Sequence, residues 1–190
     1  MDNIELRLAK LSRNRDRDAF EQLVILYKDR IYNLGYRMLN DRFEAEDIVQ
    51  ETFLRAYKNL DKFDGMHKFS TWIYQIGINL CIDWLRKRKV RASLDAKTYD
   101  GEGIELYEKL PGKNPNPESE ALLSETQELI HKAINSLPRN YKSIVVLRYL
   151  HDFSLQEISE IVAMPVTTIK TRIHRGRQFL RKKLYKEYMF

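Results

Sequence analysis

SLQEISEIVAMPVTTIKTRIHRGR, residues 154–177, decides how this chain is read. Ser154 with Glu157 three residues later is a capping box, so a helix is expected from Leu155 to Ala163. Met164-Pro165 breaks it, because proline cannot continue the ladder of backbone hydrogen bonds. A longer helix is expected from about Thr167 to Tyr185. Ile169, Ile173, Leu180 and Leu184 share one face of it, where Gly176 permits close packing. Lys170, His174, Arg177 and Arg181 lie on another face, with Thr171 and Arg175 beside them. Between Glu160 and Glu187 there is no acidic residue, and eight are Lys or Arg. A short capped helix, a tight turn and a long basic helix form a helix-turn-helix. The basic face suits duplex phosphates through charge and counterion release, and Arg and Lys also reach guanine edges in the major groove. The plainer alternative is a solvated basic helix, or one that meets a membrane or an acidic protein, but neither needs the capped helix and turn. His174 has no second His or Cys at ligand spacing, which argues against a metal.

Upstream the apolar spacing stays helical. Phe20, Leu23, Val24, Tyr27, Ile31, Leu34 and Met38 make one stripe that Asn40-Asp41 ends. A second helix is predicted from Glu44 to Leu60, with Ile48, Val49, Thr52, Phe53 and Ala56 inward. Asp61 to Lys68 reads as a loop hinged at Gly65. A third helix is predicted from Ser70 to Lys89, carrying Trp72, Ile73, Ile76, Leu80 and Leu85. Residues 93–120 change character: Gly101, Gly103, Gly112, Pro111, Pro115 and Pro117 favour turning or extended backbone. Helices resume near Pro117 or behind a Ser124/Gln127 capping pair, and Pro138 opens the next one, with Tyr141, Ile144, Val145 and Tyr149. No strand pattern competes. The expected fold is all-α, with two small helical domains at 1–92 and 121–190 joined by a flexible linker at 93–120.

Charge follows the same division. The 190 residues carry a net +6. Residues 1–92 hold 18 basic and 14 acidic side chains, residues 93–120 hold 3 and 7, and residues 121–190 hold 12 and 6. Two basic modules around an acidic strip suggest a polyanionic partner. Cys81 is the only cysteine, which excludes an intramolecular disulfide and a thiolate metal cluster; its apolar surroundings suit a buried hydrophobe. No apolar run reaches the ~20 residues of a membrane span, and residues 1–5 start no signal-peptide core, so a cytoplasmic protein is expected. There is no nucleophile–base constellation, phosphate-binding glycine loop or metal set. An enzyme, a cofactor and a small-molecule substrate are therefore not expected.

Two segments of the first module leave alternatives open. Glu44-Ala45-Glu46-Asp47-Ile48-Val49-Gln50-Glu51 packs acids onto a basic module, as an ordinary solvated face or as a docking surface for a basic groove. Phe63, Phe69, Trp72 and Tyr74 stand near Lys62, Lys68 and the run Arg86-Lys87-Arg88-Lys89. Those rings are either plain core or a stacking platform for unpaired bases beside a basic track.

Three stretches, in this order and separation, resemble one family: EAEDIVQETF (44–53), KFSTWIYQIGIN (68–79) and PVTTIKTRIHRGR (165–177). They look like bacterial sigma factors of the extracytoplasmic-function (ECF) group within the sigma-70 family, in particular its sigma-W type. The resemblance covers residues 15–92 and 121–185. It implies a non-catalytic factor that binds core RNA polymerase and directs promoter-specific initiation, in a stress or cell-envelope response. Residues 1–92 would be a sigma-2 domain whose Asp47, Gln50, Glu51 and Leu54 dock on the clamp helices of the largest polymerase subunit. Phe63, Lys68, Phe69, Ser70, Thr71, Trp72, Asn79, Asp83, Arg86 and Arg88 match the region that captures the −10 element, where a base leaves the stack. Residues 121–190 would be a sigma-4 domain that meets the flap of the second-largest subunit. Its Thr167, Thr168, Lys170, Thr171, Arg172, His174, Arg175 and Arg177 would read the −35 element as duplex. The acidic linker, with Asp95, Asp100, Glu102, Glu105 and Glu108, would thread a basic polymerase channel. An anti-sigma factor, often membrane-anchored, would hold the protein inactive.

One departure stands out. The family usually has Gly where Thr167 stands, so Thr167 is expected to cap the last helix and donate to a phosphate. The two domains are expected to be loosely tethered until polymerase spaces them. Two rival readings are a helix-turn-helix regulator acting without polymerase and a protein-interaction module built on the acidic helix.

Overall fold

The computed structural model describes residues 3–98 and 128–188, and among these every regular element is a helix. Residues 99–120 of the expected linker, and the expected helix onset at Pro117 or Ser124, lie outside the described residues.

Helix α1 (Asn3–Arg13) is an element the spacing did not reveal; Leu8 and Ala9 bury it, and Ser12 donates to the Leu8 carbonyl at 2.7 Å. Helix α2 (Arg17–Leu39) starts at Asp16, whose carboxylate accepts from the Ala19 amide at 3.0 Å. Leu23, Tyr27, Ile31, Leu34 and Met38 are its buried stripe. Asn40, left-handed at φ 58°, closes it, and Asp41 caps α3 (Arg42–Lys58). The expected start at Glu44 is two residues late because Asp41 is the cap, its side chain accepting from the Glu44 amide. α3 buries Ala45, Ile48, Thr52, Phe53 and Ala56. A 3-10 turn, Leu60–Lys62, leads to Gly65, which sits at φ +75° where L side chains are strained.

Helix α4 (Phe69–Thr98) runs nine residues beyond the predicted end at Lys89, across the expected domain boundary at 92/93. Gly and Pro begin only at Gly101, so no breaker stops it earlier. Cys81 is buried on it, its thiol pushed up to about 12 by burial.

In the second half, α5 (residues 128–135) and α6 (Arg139–Tyr149) precede α7 (Leu155–Val162) and α8 (Val166–Tyr188). α6 is the centre, with Ile144, Val145, Val146 and Leu147 all buried. α8 lies so close to α6 that a Cβ on Gly176 would come 2.7 Å from Val145 Cγ2. Val145 is buried and β-branched, so it cannot swing aside.

The two halves are not apart. One apolar core runs through both, and α7 lies along α4. The expectation of loosely tethered domains does not describe this conformation. Apolar residues such as Tyr74 and Phe153 face each other between them, and burying them together is favourable.

Gly176→Ala is expected to lower stability by about 1–3 kcal/mol through overpacking, despite alanine's better helix propensity. Urea unfolding measures it; an unchanged or higher midpoint would refute the close packing of α6 and α8.

Candidate nucleic-acid interface

The turn before α8 is built by side chains. Ser154 Oγ accepts from the Glu157 amide at 3.2 Å, and the Glu157 carboxylate accepts from the Ser154 amide at 2.9 Å, completing the expected capping box. Ala163 ends α7 left-handed at φ 50°, and Ser159 Oγ donates to the Met164 carbonyl at 2.5 Å. Pro165 accepts the first backbone bond of α8, from Ile169 at 3.1 Å. The helix therefore begins at Val166, and Thr167 lies inside its first turn instead of capping it. Pro165 already has the extended bias and free carbonyl that the position before a helix needs. The Thr167 carbonyl accepts from Thr171 Oγ1 at 3.1 Å.

Ile169 is fully buried in α8, and Ile173 and Leu180 pack against the core. Lys170, Thr171, His174, Arg175 and Arg177 are exposed on its other side, and Thr168 is half-buried. Arg172 turns back toward α6, its guanidinium 3.5 Å from the Asn140 carbonyl. The face is one cationic surface, with no acidic residue on the helix before Glu187.

The residues expected at the −10 element are not one patch. Phe63, Phe69 and Trp72 pack on one another with ring centroids 5.3–5.6 Å apart, and Phe69 also meets Tyr27. Phe63 and Phe69 are only 4% and 2% exposed, so in this conformation they are core and not open to a base. Thr71 is buried, while Ser70 and Trp72 are half-buried and Lys68 and Asn79 exposed. Arg86 pairs with Asp83 at 3.0 Å. Arg88 pairs with Glu44 at 3.0 Å and donates to the Leu39 carbonyl. From Phe69 to Arg88 the helix spans about 28 Å, so these groups can only track a strand, not close one pocket.

Asp47, Gln50, Glu51 and Leu54 do come together. They line a cleft of about 390 Å³ between α3 and α4, opposite Leu80, Asp83, Trp84 and Lys87. Asp83 thus stands with Asp47 and Glu51 and apart from Lys68. Trp84 was missed; an indole one residue from Asp83 on the half-open side of α4 was the available signal. Leu54 is 47% exposed, an apolar side chain among charged ones.

Comparison with known proteins decides what these surfaces belong to. Residues 23–91 match the Sigma-70 region 2 family, and residues 127–180 match the Sigma-70, region 4 family. The ECF RNA polymerase sigma factor SigW of Bacillus subtilis (strain 168) is 48% identical over 169 residues, 89% of this chain and 90% of that protein. This chain belongs to the ECF RNA polymerase sigma factors. The ECF RNA polymerase sigma-E factor of Escherichia coli (strain K12) is 33% identical over 170 residues, covering 89% of this chain and 88% of that one. The solved structure of CnrH in complex with the cytosolic domain of CnrY has the same fold, with TM-score 0.71 and 20% identity over 97% of this chain and 99% of that chain. The function of the ECF sigma factor is promoter-directed transcription initiation, and it is a regulatory subunit and not an enzyme. Among its described residues no helix is long and apolar enough to cross a membrane.

Between the halves of this sigma factor lies a cleft of about 700 Å³, lined by Arg30, Arg37, Lys68, Tyr74, His151 and Glu157 among others. Reading the sequence did not single out Arg30, Arg37 or His151; the two arginines share one face of α2 at i and i+7, which was the available signal. Tyr74 Oη and His151 Nδ1 are 2.8 Å apart. His131 Nδ1 lies 2.7 Å from Arg37, and its Nε2 lies 2.6 Å from Asn40 Oδ1. Lys142 Nζ donates to the Met38 carbonyl at 3.0 Å and to Asn135 Oδ1 at 2.9 Å. Burial, then the Arg30 charge, holds the His151 imidazole down at about 4; burial, then Arg37 and Lys142, does the same to His131.

Both histidines are therefore neutral in the fold and take up a proton more readily when released. The unfolded chain binds more protons between about pH 6.5 and 4, so stability is full above that window and falls as pH drops through it. Urea unfolding of the wild type should weaken from pH 7 to pH 5, and His151→Gln should flatten part of that slope. Equal slopes in the two proteins would count against a buried neutral His151.

Proposed function

We propose that this ECF sigma factor divides promoter recognition between its halves, residues 1–92 on the −10 element and residues 121–190 on the −35 element. The observation that carries this is α8. Its apolar side is used up on α6 and the core, while Lys170, Thr171, His174, Arg175 and Arg177 all face solvent on a turn of helix-turn-helix shape. That arrangement suits a major groove, with Thr167, Thr168 and Arg172 at the edges of the face.

Lys68, Ser70, Trp72, Asn79 and Arg86 supply the −10 surface along α4, and Phe63, Phe69 and Thr71 support it from beneath. The cleft of Asp47, Gln50, Glu51 and Leu54, with Asp83 beside it, docks on the clamp helices of the largest polymerase subunit. The second half meets the flap of the second-largest. Acidic groups around an exposed leucine fit a basic partner groove with an apolar centre. The protein acts in the cytoplasm, in a stress or cell-envelope response, and an anti-sigma factor, membrane-anchored in many such systems, restrains it. A solved relative in fold, the sigma factor RpoE of Bartonella quintana, was crystallised with the anti-sigma factor NepR.

The test is a reconstituted holoenzyme on promoter DNA, read by footprinting and run-off transcription. Lys170→Ala and Arg175→Ala should each cost about 1–3 kcal/mol where they read a base, or lower the salt slope by about one where they hold a phosphate. Glu51→Ala with Leu54→Ala should weaken core binding and leave the urea midpoint within about 0.5 kcal/mol, because both lie at the surface. Specific transcripts that survive loss of either surface would refute the corresponding assignment.

A further inference from the structure

Phe43, in the first turn of α3, belongs to no surface assigned so far. It is 79% exposed, whereas Phe53 on the same helix is 7% exposed and packs edge-on against Phe20. Its neighbours are used within the fold: Asp41 caps the helix, Glu44 pairs with Arg88 of α4, and Ala45 is buried. Phe43 falls in register with the docking set. Phe43, Asp47, Gln50 and Leu54 recur at spacings of four, three and four, so they form one stripe along α3. Leu54 stands at one end of that stripe and Phe43 at the other, about 16 Å away along the helix axis.

We propose that Phe43 is a second apolar anchor for core RNA polymerase, so that the docking face runs beyond the α3–α4 cleft to the first turn of α3 and grips its partner at both ends. This rests on the assignment of that cleft to the clamp helices of the largest subunit made above.

Position and chemistry support it together. The Glu44–Arg88 pair, at 3.0 Å, ties the start of α3 to the part of α4 just past Lys87, and Lys87 lines the cleft. The α4 wall continues in the same period. Leu80, Asp83, Lys87 and Val90 recur at three, four and three, and Val90 is 54% exposed. One end of this face therefore offers Leu54, its middle offers Asp47, Glu51 and Lys87, and its far end offers Phe43 and Val90. A helical partner with charged side chains along its middle and apolar ones at its ends meets all three parts. Aromatic side chains are enriched at the centres of such contacts, because each buries a large area while few torsions are fixed. The Phe43 ring leaves water only when a partner covers it, and its area is then a driving force for binding.

The test uses the full chain with Phe43→Ala, competed against labelled wild type for purified core RNA polymerase. Alanine is a good helix former and the ring is unpacked, so the urea midpoint of the free variant should not fall. Core binding should weaken about tenfold or more, as expected when one buried aromatic is lost from an interface. Unchanged core binding overturns the anchor. The Glu51→Ala, Leu54→Ala double variant then judges the larger reading: weaker binding there keeps the cleft assignment without Phe43, and unchanged binding removes both. A lower urea midpoint for the free Phe43→Ala chain also overturns the anchor, because the ring would then be packed against its own chain. So does a promoter-footprinting defect that appears while core binding is normal, which would place the ring on DNA.

Discussion

Tyr74 is the joint of this molecule. Its ring stands edge-on to Phe153 at 4.6 Å and to His151 at 5.0 Å, and its hydroxyl meets His151. It is 2% exposed although its two ring partners come from the opposite half of the chain. Aromatic edge contacts add about 0.5–1.5 kcal/mol each to the area they bury. Around the joint, polar bonds close from both sides: Lys142 to the Met38 carbonyl, Arg139 to the Leu85 carbonyl, His131 to Asn40. The Met38 carbonyl lies in the last turn of α2, where carbonyls lack a partner within their own helix. The second half thus completes the ends of α2 and reaches the α4 backbone.

That joint governs which surfaces remain open. The α3–α4 cleft and the cationic face of α8 lie away from it and keep their side chains in solvent. The start of α4 lies under it. The apolar content of the joint and the neutral state of His131 and His151 make it a contact that acid loosens, while the Glu157–Lys68 pair persists across the same range.

Much of this was readable in the residues. The stripe of α2, the Asn40-Asp41 break and the Ser154–Glu157 capping box are local, decided by periods of three and four and by bonds within four residues. The grouping of Asp47, Gln50, Glu51 and Leu54 follows from the same helical period. Other features were not legible. α1 is short, and it is buried by packing against α2, the 3-10 turn and α4, none of which lies within one helical turn of it. The rings of Phe63, Phe69 and Trp72 could serve as core or platform on sequence alone, because an aromatic has the same spacing in either role. Thr167 looked like a cap because threonine often is one; the preceding proline had already taken the position.

The sequence by itself determined the helices, their caps and breaks, and the cationic character of α8, since these depend on bonds and charges between near neighbours. Only the tertiary structure decided that Phe63 and Phe69 are core, that Asp83 lines the α3–α4 cleft, and that Glu157 reaches Lys68 across 89 positions. Such pairings depend on how two finished helices pack, and no spacing along the chain encodes the angle at which α7 comes to rest on α4.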